Sequence, residues 1–193
     1  MALQGTRIGG AAVTDITFDP TGIIPGHTHW SDFSQRRIGC PACDLIFKEP
    51  KIKSFYVIGA LANKQIAQFS NALEAEGYEA FSDWKSPGPE ADSFLREYSK
   101  ERGRSYKQIL KSYAAQNTYN FDKTHLDRTD AAVLLMPAGR SCHLEIGYTI
   151  GRGKPGFIIF DSEPERVDIM YNFATECFFS QQEFFEYLKQ HNK

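Results

Sequence analysis

Beyond residue 50 the chain alternates two patterns: short uninterrupted apolar runs, and longer stretches whose apolar residues recur every three or four positions. The first pattern is that of a strand buried on both faces, and the second that of a helix with one inward stripe. Ser54-Phe-Tyr-Val-Ile-Gly59 opens the series as a strand. Asn63 is placed to cap the next helix, Ile66, Phe69 and Leu73 share its inner face, and Gly77 stops it. A second strand is expected over 78–82, running into Asp83 and Trp84. Residues 90–128 are polar at helical spacing and predict two helices with a break near Gly103. Ala131-Ala-Val-Leu-Leu-Met136 is the clearest buried strand. A helix follows the loop Pro137-Ala-Gly-Arg-Ser141 and is closed by Gly153-Lys154-Pro155. Strands are then expected at 156–160 and 176–179. Ser180-Gln-Gln-Glu183 has the spacing of a capping box and opens a last helix with Phe184, Phe185 and Leu188 inward.

Strands alternating with helices imply an α/β domain: a parallel sheet of about five strands with helices on both faces. In such sheets a ligand lies outside the carboxyl ends of the strands, near the point where strand order reverses. The residues so placed are Gly59 to Asn63, Asp83 with Trp84, Pro137 to Glu145, and Asp161 with Ser162. Residues 1–50 are rich in Gly, Pro and Thr without a sustained helical period and read as an irregular N-terminal arm. The domain proper is then 51–193.

Composition narrows the function classes. The 193 residues are 41% hydrophobic and 24% charged, which suits one globular domain with a real core. A net charge of −2 offers no broad basic field for a nucleic acid polymer or an acidic membrane. No apolar run approaches the ~20 residues of a membrane span. The first residues lack a convincing cleavage site, so the cytoplasm is the expected compartment. Four cysteines do not make a disulfide scaffold.

The chemistry concentrates around Glu145. It falls in the first turns of the helix after the Pro137–Ser141 loop. The free amides of a helix start favour an anion, and Arg140 and Ser141 add donors there. Gly147 and Gly151 lie four apart on one face and predict a close approach of this helix to the sheet. Tyr148, almost one turn beyond Glu145, is placed to hydrogen-bond or shield it. On position alone Glu145 is equally a solvated first-turn glutamate.

Asp130-Ala-Ala-Val-Leu-Leu-Met-Pro137, the polar loop, Leu144-Glu-Ile-Gly-Tyr148 and Gly153-Lys-Pro155 together resemble the nucleoside 2-deoxyribosyltransferase family, which includes the 2'-deoxynucleoside 5'-monophosphate N-glycosidases. The likeness runs from about residue 54 to 160 and is strongest over 130–160. It implies a Rossmann-like, flavodoxin-like domain that cleaves or transfers at an N-glycosidic bond without a catalytic cofactor. Glu145 matches the family nucleophile, which attacks the anomeric carbon beneath an oxocarbenium-like transition state. Asp122 best fits the family's second carboxylate, which lies on the preceding helix; Asp127 and Asp130 are nearer the strand and suit helix-end roles. Asp83 and Trp84 could hold or stack a base, and Gly59 ends the first strand at the substrate side. One departure is informative. Transferases of free nucleosides carry an aspartate six residues before the nucleophile, where this chain has Gly139. Arg140 and Ser141 follow it and favour a 5'-phosphate. The family's glycine-rich phosphate loop has no clear match in Gly59-Ala-Leu-Ala-Asn63.

The substrate is therefore expected to be a small nucleotide or nucleoside, handled by a homodimer or larger homo-oligomer. A transferase of free nucleosides, a nucleotide sensor without turnover, and a hydrolase of NAD-like dinucleotides remain as rivals. In the arm, His27 and His29 with Cys40 and Cys43 could close a tetrahedral structural zinc site. Cys142 reads as a small buried residue, and His143 as a donor near the loop.

Overall fold

The computed structural model describes residues 51–192; the N-terminal arm and its four zinc-ligand candidates lie outside the described residues. Five strands form one sheet: β1 (Ser54–Ile58), β2 (Glu79–Phe81), β3 (Ala131–Leu135), β4 (Gly156–Ile159) and β5 (Glu176–Phe178). All neighbours are parallel, in the order β2-β1-β3-β4-β5. This is the α/β, flavodoxin-like order, with its reversal between β1 and β3. The helices are α1 (Ile66–Ala75), α2 (Ala91–Glu101), α3 (Tyr106–Leu110), α4 (Tyr113–Arg128), α5 (Arg140–Gly151) and α6 (Gln181–His191). Short 3-10 turns span Asp83–Lys85 and Ile169–Phe173.

Strand alternation sorts the core into two layers. Phe55 and Val57 of β1 join Ala131, Val133 and Leu135 of β3 against α1 and α6, through Phe69, Leu73, Phe184 and Leu188. Tyr56 and Ile58 join Ala132 and Leu134 on the opposite face, against Leu126 of α4 and Cys142 and Ile146 of α5. The register of the central pair is locked at its amino end. Asp130 Oδ2 accepts from Lys53 N at 2.9 Å and from Ser54 N and Oγ, each at 3.0 Å, while Asp130 N donates to Ser54 Oγ.

The expected elements are present with local corrections. Asn63 does not cap α1. Its Oδ1 accepts from Gln65 N at 2.9 Å in a turn ahead of the helix, which starts at Ile66. Residues 90–128 form three helices. Gly103, at φ +62°, ends α2; the Ser105 amide is held by Gln108 Oε1 at 2.8 Å at the start of α3; and Ser112 Oγ caps α4 by accepting from Ala115 N. Ser180 caps α6 by accepting from Glu183 N, but Glu183 reaches back to Phe179 N, one residue outside the box. The close approach expected at Gly147 and Gly151 lies elsewhere. A Cβ at either would meet nothing within 4 Å, whereas one at Gly156 in β4 would stand 2.6 Å from Ile150 Cγ1 and 3.1 Å from Ile146 Cδ1. The helix thus presses on the strand through its isoleucines, and the missing Cβ is on the strand.

Candidate active site

Three elements bring ionisable groups to one place on the α4–α5 face. Tyr56 comes from the middle of β1, where alternation turns it toward this face. Asp122 comes from α4 and Glu145 from the second turn of α5. Burial, and then the charge of Asp122, push the Glu145 carboxyl up to about 7. Asp122 is raised as well, by burial, with the Tyr56 hydroxyl opposing the shift. Tyr56 is itself held well above the ordinary phenol range by burial first, then by the charges of Glu145 and Asp122. Asp122 Oδ1 is buried without a hydrogen-bond partner.

Both carboxylates line a cavity of about 360 Å³ between α4 and α5. Ser141 borders it at the start of α5, and Tyr119, Leu126, Leu144 and Tyr148 supply apolar wall. Two acids that repel each other in a largely apolar cleft cannot both be ionised at low cost, so Glu145, raised by burial and the charge of Asp122, keeps its proton to higher pH than a solvated glutamate. One member can then act as an acid while the other acts as a base or nucleophile.

Tyr148 does not bond Glu145. Its hydroxyl donates to Asp127 Oδ1 at 2.6 Å, and Asp127 is also paired with Lys123, whose ammonium lies 5.4 Å from the centre of the Tyr148 ring. Glu145 is therefore half-buried in the second turn of α5 and not shielded by a tyrosine hydrogen bond; burial, then Asp122, raise its carboxyl. Arg140 opens α5 as an exposed residue and is not among those lining the cavity. Gly139 is the extended N-cap of α5, and a Cβ there would meet nothing within 4 Å. Gly59 is buried at the end of β1, where a Cβ would run into Ile66 Cδ1. Asp83 is exposed on its 3-10 turn. Trp84 packs against both core layers, and its indole N–H donates to Val57 O at 2.8 Å. His143 Nδ1 lies 2.8 Å from Gly139 O and its Nε2 3.1 Å from the Tyr171 hydroxyl, which engages both ring nitrogens. Cys142 is buried, as its composition suggested.

Of the expected site, the structure thus groups Glu145, Asp122, Ser141 and Tyr148 around one cavity and leaves Arg140, Asp83 and Trp84 outside its lining. Tyr56 and Tyr119 were missed. The signal for Tyr56 was a phenol hydroxyl in the middle of an apolar run, since a buried phenol needs a polar partner. Among the described residues no group of three or more His, Cys, Asp or Glu is placed to hold a metal ion. No helix among them is long and apolar enough to cross a membrane.

No protein-family model matches the chain, and no curated protein matches it in sequence. Among solved structures it is similar to a 2-deoxyribosyltransferase from the psychrotolerant bacterium Bacillus psychrosaccharolyticus. The two are 17% identical over 69% of this chain and 90% of that one, with a TM-score of 0.45.

Proposed function

We propose that this chain is an enzyme that cleaves or transfers the N-glycosidic bond of a deoxynucleoside 5'-monophosphate, with Glu145 as nucleophile. The observation that carries the reading is the convergence of Glu145 and Asp122 on one largely apolar cavity, with the buried Tyr56 hydroxyl bonded to Asp122 behind them, in a chain whose strand-loop-helix motif resembles the deoxyribosyltransferases. An ionised Glu145 oxygen forms a bond to the anomeric carbon as the bond to the base nitrogen breaks. Asp122, carrying the pair's proton when Glu145 is ionised, delivers it to the departing base. Water or a second base then attacks the same carbon, gives its proton to the now ionised Asp122 and releases Glu145, so two inversions give retention. The apolar walls strengthen the carboxylate's attraction for the developing positive sugar.

Ser141 and the free amides of the α5 start supply the phosphate contact, with Arg140 swinging in from the surface. The exposure of Arg140 also favours a second reading, transfer between free nucleosides, which needs no such contact. Exposed apolar side chains on α2, α3 and α4, among them Phe94 and Tyr106, fit assembly as a homodimer or larger homo-oligomer in the cytoplasm.

The test is a panel of deoxynucleotides and nucleosides read by released base. The monophosphate should be used better than its nucleoside. Glu145→Ala should lower turnover by several orders of magnitude. A charge-assisted phosphate contact contributes about 1.5–3 kcal/mol, roughly a ten- to hundredfold preference that Arg140→Ala should remove. Near-normal turnover in Glu145→Ala would overturn the nucleophile, and equal rates on the two substrates would select the free-nucleoside reading.

A further inference from the structure

Asp122 and Glu145 sit on different helices, so the gap between them is set by whatever holds α4 against α5. Apolar contact supplies part of this, because Leu126 packs in one layer with Cys142 and Ile146. Apolar contact is non-directional, however, and leaves the helices free to slide. Two polar links remove that freedom. On α5, Tyr148 lies three residues beyond Glu145 and donates to Asp127, which lies five beyond Asp122. Just after α5, Lys154 sends its ammonium into the carboxyl end of α4, donating to Leu126 O at 3.0 Å, Asp127 O at 2.5 Å and Thr129 O at 2.6 Å.

The second link matches need to supply. The last four carbonyls of a helix have no partner within it and carry its negative end, while an ammonium has three donors. Lys154 is aimed by its neighbours. Gly153, at φ +75°, turns the chain out of α5, and Pro155 O accepts from Ala132 N at 3.0 Å to fix the start of β4. The Gly153-Lys154-Pro155 sequence therefore ties the end of α4 to the α5–β4 corner.

We infer that Lys154 and the Tyr148–Asp127 hydrogen bond form a brace between α4 and α5 that fixes the separation of Asp122 and Glu145, so that Lys154 and Tyr148 are positioning residues of the carboxylate pair. The claim that this separation matters for turnover rests on the function proposed above; the brace itself does not. Besides Asp122 on α4, whose charge raises Glu145, the ionisable groups around it are Lys123, Tyr119 and Tyr148 in the same cavity lining, and Tyr56 and Cys142, which themselves feel the charge of Glu145. If α4 loosens, both burial and the charge of Asp122 weaken together at Glu145.

The experiment is a carboxyl-carbon NMR titration of full-length protein carrying labelled glutamate, with the Glu145 signal assigned by its loss in Glu145→Gln. The wild-type midpoint should lie near 7. Tyr148→Phe, which deletes one oxygen and keeps the ring, should lower the midpoint by about one unit, a tenfold change in protonation ratio. Lys154→Met should do the same. Lys189→Met, which breaks the α6–α1 pair with Glu76 on the opposite face, should leave it in place. A wild-type midpoint in Tyr148→Phe overturns the brace, whatever Lys154→Met does; a shift there but not in Lys154→Met removes Lys154 from it. With an active substrate, the acid limb of the kcat profile should move by the same amount. Should no substrate be turned over, the function falls while the titration still decides the brace.

Discussion

At the scale of single residues, Glu145 carries a cost that can be measured without any substrate. Its folded value near 7 lies above the ordinary glutamate value of 4.5. Between those two values the folded chain keeps a proton that the unfolded chain has released. Stability therefore falls as pH rises through that window, by about 3 kcal/mol in all. The shift of Asp122 acts in the same direction. Glu145→Gln cannot ionise and should escape most of the loss. We expect it to unfold several degrees above wild type at pH 8 and at nearly the same temperature at pH 4.5, by thermal denaturation. Equal melting at pH 8 would mean that Glu145 is solvated after all. The position of Glu145 was legible because a strand, loop, helix and Gly-Lys-Pro arrive in order. Asp122 was legible only through the family resemblance, since one polar residue among many on a long helix has no local mark. Tyr56 was hidden because tyrosine counts as apolar in a buried run.

At the scale of elements, helix and strand types were readable and helix faces were not. The spacing of Gly147 and Gly151 states that they share a face but not which one. The structure buries Cys142, Ile146 and Thr149 and leaves both glycines outward. Two substitutions separate these roles. Gly147→Ala adds a methyl to open space in a helix and should stabilise by about 0.5–1 kcal/mol. Gly156→Ala drives a methyl into Ile150 and Ile146 and should destabilise by about 1–3 kcal/mol. Denaturant midpoints of the pair test this, and effects of the same sign would refute it. The break between α3 and α4 escaped notice for a similar reason. Ser105 and Ser112 act as caps only because the chain bends before them, and a serine within a polar helix looks the same in sequence.

At the scale of the whole molecule, the alternation of patterns was enough to give a parallel sheet with covered faces, because only buried strands read as continuous apolar runs. Strand order was not in the pattern. It depends on the long crossover through α2, α3 and α4, which carries the chain from β2 past β1 and delivers Asp122 beside α5. The pair at the centre, β1 with β3, is clasped by Asp130 across 76 positions to Ser54. Contacts of such long range are late and slow to form, since loop closure is entropically opposed before any bond rewards it. Asp130→Ala removes the clasp at that closing step. We expect its destabilisation to appear mainly as slower refolding, with the unfolding arm of a chevron little changed; the reverse partition would place the closure after the barrier.

The same clasp bears on how the chain is made. Synthesis proceeds from the amino end at about 5–20 residues per second, so roughly 4–15 seconds pass between the appearance of Ser54 and that of Asp130. Throughout that interval β1 has only the short β2 to pair with, and its Phe-Tyr-Val-Ile run stands ready to join any other nascent strand. The hazard arises whenever β1 stands without β3, and synthesis is one such interval, in which a holding chaperone is of use.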